Sequence, residues 1–241
     1  MFIDQGITTG ISYASTMDIQ VIKELFSHCI TAMDELKKQS DDFYLGLKNA
    51  INKLPQSAIG KYGQLQEWIE DYEENEVTHR HLSHLYGLYP SELFTQNGTN
   101  PQIKRGCEIT LKRRGNDGVA WSRAWKTALW ARLGDRKEAG EEILRYLQLA
   151  DSEDAKEISY TNGGIYDNLF AARPLQIDGC FGFTAGIAEL LVQDESKAIK
   201  LLPAVPAAWK KGYVKGLVLR NGELMDIEWD GKNVKSSMYR R

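Results

Sequence analysis

The chain has 241 residues, 42% hydrophobic and 26% charged, with a formal net charge of −3, the balance of a soluble globular protein long enough to bury a substantial core. That charge gives no general attraction for a polyanion and argues against nucleic acid as a partner. No run of about twenty apolar residues and no basic leader before an apolar stretch occurs, so neither a membrane span nor a secretion signal is expected.

From Ser15 or Thr16, either of them a suitable N-cap, apolar residues from Met17 to Leu36 recur at helical spacing up to Lys38, which predicts a long amphipathic helix. A second helix is expected from about Phe43 to Leu54, stopped by Pro55. The stretch 55–100 is polar and aromatic with weak periodicity and ends in the turn-like NGTNP, so long loops with short helical pieces are expected there. Helices follow at about 101–114, 119–133 and 136–149, separated by GNDG and by Gly134-Asp135. A second irregular stretch, 150–181, leads into an apolar helix over 183–192. Beyond Pro203 and Pro206 the pattern alternates, with Asn221-Gly222 as a hairpin turn. Residues 1–200 therefore read as mostly α and 210–241 as mostly β, with too few strands for a sheet that stands alone. Cys29, Cys107 and Cys180 are widely spaced and form no CxxC pair; reduced thiols in a cytoplasm fit best.

Three of the four histidines, His79, His81 and His84, fall within HRHLSHLYGLYP. Such a density of groups that donate, accept or carry protons marks a candidate site. Helical spacing separates His79 from His81 and a strand turns His84 away, so only an irregular turn gathers all three. Metal binding, structural hydrogen bonding and recognition of hydroxyls by Arg80 and the imidazoles all remain open. Just upstream, Glu67 opens an acidic run that is otherwise read as solvated, and it stands between Leu65 and Trp68. A carboxyl against an aromatic wall has its charged form disfavoured, which predicts a raised pKa suited to a general acid. Asp178, in PLQIDGCFG, reads as a turn residue. Taken with Glu67 it supplies a second carboxylate, the minimum apparatus for glycoside hydrolysis. In GVAWSRAWKTALWARLGD, Trp125 and Trp130 are expected in the core and Trp121, beside the glycine turn, is the better placed to reach a ligand. The basic segment KRGCEITLKRR (104–114) is read as a solvated helix face.

The ordered motifs GQLQEW, HRHLSHLYGLYP, WSRAWKTALWARLGD, NLFAARPLQIDGCFGFTAGIAELL and LLPAVPAAWKKGYVKGL resemble glycoside hydrolase family 95, the inverting α-L-fucosidases. The resemblance implies a mainly α chain: an incomplete (α/α)6 toroid of helical hairpins over 1–205, then a short C-terminal β segment over 206–241. It implies Glu67 as general acid, Asp178 in the water-activating machinery, and Arg80, His81 and Trp121 as sugar contacts. It also implies a fucosylated glycan as substrate and no cofactor. Cys180 and Phe183 depart from the family's IDGNFGG pattern and raise the expectation of an altered pocket floor. The family's N-terminal β-sandwich, first helices and water-holding asparagine motif have no counterpart here. The chain is therefore expected to be the C-terminal part of a longer enzyme, weakly active alone, with a separate chain carrying the other half as a candidate partner. A non-catalytic carbohydrate-binding module and a structural remnant are the alternatives.

Overall fold

The computed structural model describes residues 2–4, 6–9, 12–95, 100–149, 164–169, 176–195 and 198–240. The chain divides into two compact units, Met1–Gly115 and Asn116–Arg241. The irregular stretch expected over 150–181 lies mostly outside the described residues, as do residues 97–99 of the NGTNP turn.

The first unit opens with a hairpin that the sequence did not suggest, β1 (Phe2–Asp4) against β2 (Ile7–Thr9), extended by β3 (Glu73–Glu74) on the other edge of β1. Helix α1 (Thr16–Glu35) starts where expected, with the Ser15 hydroxyl accepting from the Asp18 N–H at 3.2 Å. It is followed by α2 (Asp42–Ile51), capped by Asp41. Contrary to the amphipathic expectation, the two buried residues of α1 are polar, Thr16 and Gln20, while Met17, Val21 and Leu25 are exposed. The helix earns its place through hydrogen bonds, because Thr16, Gln20 and Glu24 recur every four residues and each bonds to the segment packed against it. Residues 55–95 are mostly irregular and contain one short 3-10 turn, Ser83–Leu85. Helix α3 (Pro101–Arg114) closes the unit, with Pro101 in its first turn and the Asn100 side chain accepting from the Gln102 N–H at 2.9 Å.

In the second unit α4 (Ala120–Leu133) and α5 (Arg136–Tyr146) form a helical hairpin. Gly134 adopts φ +77° at the end of α4, and the Asp135 carboxylate caps α5 by accepting from the Lys137 and Glu138 N–H groups. Helix α6 (Ile177–Leu191) begins six residues earlier than the apolar run suggested, so Asp178 stands in a helical first turn and not in a loop turn. The pattern failed there because Gly179 and Gly182 look like breakers. In place they are contacts: a Cβ on Gly179 would lie 2.8 Å from Ala120 Cβ, and one on Gly182 3.3 Å from Ala124 Cβ. Bare glycine backbone lets α6 pack closely on the small residues of α4.

Beyond that helix, still within the stretch read as mostly α, β4 (Val192–Glu195) pairs antiparallel with β5 (Ala198–Leu201). The C-terminal strands β6 (Gly212–Val218), β7 (Leu224–Trp229) and β8 (Val234–Tyr239) make an antiparallel sheet in sequence order. Asn221-Gly222 turns the first hairpin, with φ +80° at Gly222. Leu219, Met225 and Ile227 of this sheet pack with Leu191, Leu202 and Val205, so the end of α6 and the Pro203–Pro206 loop supply the cover that three strands need. Six α-helices followed by a short β segment are thus the described architecture.

Candidate functional site

Two irregular segments of the first unit are tied to regular elements at defined points. The Leu65 N–H donates to the Gly106 carbonyl at 3.2 Å and to the Thr110 hydroxyl at 3.0 Å, docking the Glu67 segment along α3. Gly106, Thr110 and Arg114 recur at four-residue intervals on that helix, so the docked segment runs toward Arg114. From the other side, the Thr16 N–H donates to the Glu67 carbonyl at 3.0 Å and its hydroxyl to the Gln66 carbonyl at 2.7 Å. One turn further along α1, the Gln20 amide donates to the His84 carbonyl at 2.8 Å and accepts from the Gly87 N–H at 2.7 Å. A single helix thereby fixes both the Glu67 and the His84 segments.

Between them lies a cavity of about 270 Å³ lined by Glu67, Trp68, His79, His81, His84 and Arg114 along with much of the acidic run. The irregular turn required to gather the three histidines is present: His79 and His81 rings lie 4.7 Å apart, and the His81 N–H donates to His79 Nδ1 at 3.1 Å. Arg80, between them, is exposed and is not among the lining residues. The acidic run is only partly solvated, for the Asp71 carboxylate accepts from the Lys61 N–H and the Gln64 amide, and Glu74 pairs with Arg113 at 2.5 Å.

The electrostatics differ from the sequence expectation. Burial pushes the Glu67 carboxyl up, as the Trp68 wall suggested, but His84 and Arg114 outweigh it and the net shift is downward. Arg114 Nη2 lies 2.6 Å from Glu67 Oε2, and its side chain is 4% exposed. The second oxygen, Oε1, is 3.9 Å from His84 Nδ1. Burial drives the His84 imidazole down to about 4 and holds His79 and His81 below their usual range as well. At neutral pH His84 is uncharged and Glu67 is ionised, paired with the Arg114 guanidinium. To serve as an acid, Glu67 would first have to gain a proton against that guanidinium. Arg114 is the residue sequence reasoning missed, whereas His84 was singled out with the histidine run. The helix read as a solvated basic face buries Gly106, Cys107, Thr110, Leu111 and Arg114, and that four-residue spacing was the available signal.

The other proposed contacts belong to the second unit. Trp121 and Asp178 occupy the first turns of α4 and α6, and the Trp121 N–H donates to the Gln176 side-chain oxygen at 3.2 Å. A Cβ on Gly179 would stand 3.0 Å from the Trp121 nitrogen, so the two helix starts are in contact. Asp178 is exposed and Trp121 half-buried, its ring 6.5 Å from that of Trp125. Trp130 is buried as expected. Phe183 stacks on the buried Tyr146 at 3.9 Å, so this departure from the family pattern is absorbed by core packing. The start of α4 is braced by two buried cations: Arg123 donates to the Asn116 carbonyl at 3.1 Å and Lys126 to the Asp117 carbonyl at 2.5 Å.

Comparison with known proteins decides the family. The model of the glycosyl hydrolase family 95 catalytic domain matches residues 1–191, and that of the family's C-terminal domain matches residues 193–240. The chain belongs to glycoside hydrolase family 95. Among family relatives, it is 42% identical to alpha-L-fucosidase 2 of Arabidopsis thaliana over 97% of its own length, and 33% identical to a probable alpha-fucosidase A of Aspergillus niger over 90%. A probable alpha-fucosidase A of Aspergillus oryzae is 29% identical over 96% of the chain. The chain spans 28% of the Arabidopsis and A. niger proteins and 34% of the A. oryzae one.

Proposed function

We propose that the chain supplies part of the catalytic apparatus of a glycoside hydrolase that removes terminal α-L-fucosyl, or closely similar α-L-galactosyl, residues from glycans with inversion. Its helices would belong to an (α/α)6 toroid in the complete enzyme. In this reading Arg80, His81 and Trp121 are sugar contacts of the complete enzyme, and Asp178 belongs to the group that activates water. Glu67 contributes its carboxyl to the cavity beside the histidines. The observation that carries the reading is the coincidence of two independent facts. The two family models together match residues 1–191 and 193–240 of the chain, and the QEW and histidine-run segments line a polar, aromatic-edged cavity suited to hydroxyl recognition. Because the chain spans 28% of its Arabidopsis relative, turnover is expected from the complete architecture and little from this chain alone.

The test has two arms. L-Fucose is titrated into the 241-residue chain with ligand-observed NMR, and an aryl α-L-fucoside is offered to the chain alone and mixed with the remaining family domains. Saturable fucose binding, with turnover on mixing and β-fucose as first product, supports the reading. Absence of both binding and turnover refutes it. A non-catalytic sugar-binding module is the second reading, favoured by the ionised state of Glu67; fucose binding without turnover in either preparation would select it.

A further inference from the structure

A larger cavity, of about 570 Å³, lies wholly within the second unit, and none of its lining residues is used in the proposed reaction. It is walled by the 206–210 loop, the end of β7, the turn that follows, and the first residue of α5. Short contacts fix these walls. The Trp209 N–H donates to the Pro206 carbonyl at 2.9 Å, and Pro206 rests on α5, where a Cβ on Gly140 would lie 3.2 Å from Pro206 Cβ. The Trp229 indole N–H donates to the Trp209 carbonyl at 2.7 Å. Gly212, across the ladder from Trp229, makes room for that indole, since a Cβ there would stand 2.5 Å from Trp229 Cζ2. A cavity held in this way is formed before any ligand arrives.

Two kinds of surface meet in it. Trp209 and Trp229 are half-buried, and with its N–H committed to backbone the Trp229 indole has only ring carbon left to offer. Arg136, Lys210 and Lys232 are exposed and come from three separate segments. Arg136 donates to the Leu202 carbonyl at 3.4 Å, and among the described residues none of the three cations is paired with a carboxylate. Asp230, the one carboxylate of the lining, serves its own turn by accepting from the Lys232 and Asn233 N–H groups at 3.0 and 2.8 Å. In a chain of net charge −3, positive charge therefore gathers here beside aromatic carbon. A pyranose ring offers C–H faces to indoles, and carboxylates on successive rings offer negative charge spread along the ligand, as cations on separate segments require. Arg136 can take one such carboxylate through two parallel N–H bonds. A compact phosphate would leave the indoles unused, and a neutral sugar would leave the cations unmatched.

We propose that this cavity is a binding site for an acidic glycan, one that carries carboxylates on successive sugar rings, with Trp209 and Trp229 as its stacking surface and Arg136, Lys210 and Lys232 as its charge partners. The binding claim stands without the fucosidase reading. Joined to that reading, the site tethers the enzyme to a uronate-bearing polymer and raises the effective concentration of fucosyl ends carried on the same chain.

The experiment titrates trigalacturonate, and a neutral galactose trisaccharide of the same length, into the 241-residue chain by calorimetry at low salt and at about 0.5 M salt. Trigalacturonate is expected to bind about tenfold more tightly at low salt and to lose most of that margin at high salt, where exposed charges are screened. Trp209→Ala is expected to weaken both sugars about tenfold. The double variant Lys210→Gln, Lys232→Gln should bring trigalacturonate down toward the neutral sugar and leave the neutral sugar unchanged, whereas a merely structural role for the lysines would move both. Nitrogen-15 NMR of the indole N–H groups should show Trp209 and Trp229 shifting on titration. Equal affinity for the two sugars, absence of trigalacturonate binding, unchanged affinity in Trp209→Ala, or shifts confined to other indoles would overturn the proposal. An oligothymidylate of equal charge that binds more tightly than trigalacturonate would assign the cavity to single-stranded nucleic acid and overturn it as well. Near-ultraviolet circular dichroism verifies folding; should Trp209→Ala not fold, the lysine double variant, altered only at exposed side chains, and the indole shifts still decide the outcome.

Discussion

Substituting alanine for Gly179 tests the contact that joins the starts of α4 and α6. The added methyl would meet Ala120 Cβ at 2.8 Å and the Trp121 nitrogen at 3.0 Å, both attached to rigid helix rather than to a flexible side-chain end. Overpacking of this kind costs about 1–3 kcal/mol, while alanine in a helix regains about 1 kcal/mol over glycine. The balance is a loss of about 1 kcal/mol. The same reasoning makes Gly182→Ala close to neutral, since its neighbour stands at 3.3 Å. It makes Gly46→Ala, in the exposed interior of α2 with nothing within 4 Å, stabilising by up to about 1 kcal/mol. Urea unfolding of the three variants, followed by circular dichroism for the helices and by tryptophan fluorescence for the second unit, gives the order. A Gly179→Ala variant as stable as Gly46→Ala would refute the argument, because the α4–α6 contact would then have room that the structure denies it.

Three further outcomes follow from buried polar groups. Gln20→Leu strips both the His84 carbonyl and the Gly87 N–H of their partner at a residue 1% exposed, and should cost about 2–4 kcal/mol by urea unfolding. His84 is held down to about 4 in the folded chain, against about 6.5 when unfolded. The unfolded chain therefore binds the extra proton first, and acidification from pH 6.5 to pH 4 should remove about 3 kcal/mol of stability. His84→Asn should flatten that dependence, and an unchanged slope would contradict the burial of the imidazole. Lys126, buried and lowered to about 8, disfavours folding while charged, so its contribution should improve as pH rises from 8 toward 10.5. The stability difference between wild type and Lys126→Met, measured across that range, should shift toward wild type with rising pH.

What the sequence made legible were features with a strong local cause. Ser15 and Asn100 cap helices as their side chains predict, Gly134 ends α4, and Asn221-Gly222 turns a hairpin. The misread features have causes that lie far away in sequence. Glycines that look like breakers in GCFG are contact points only because α4 supplies alanines opposite them. The inward face of α1 is polar because its partners are the backbone groups of irregular segments, which offer carbonyls and N–H groups instead of apolar side chains. The candidate site shows the same division. The histidine run pointed to the cavity, and QEW supplied a carboxyl for it, but the direction of the Glu67 shift depends on His84 and on an arginine 47 residues away. Local neighbours such as Trp68 could not reveal it.

The bracing of Glu67 and His84 by Thr16 and Gln20 turns a stretch of helix into a ruler. Four residues at about 1.5 Å of rise each set the spacing between the two anchor points, so the width of the gap between carboxylate and imidazole is gauged by α1 and not by loop conformation. Substitutions within the loops can change the groups that flank the gap without changing its span, and chemical variety can accumulate there while the distance between the anchor points stays constant.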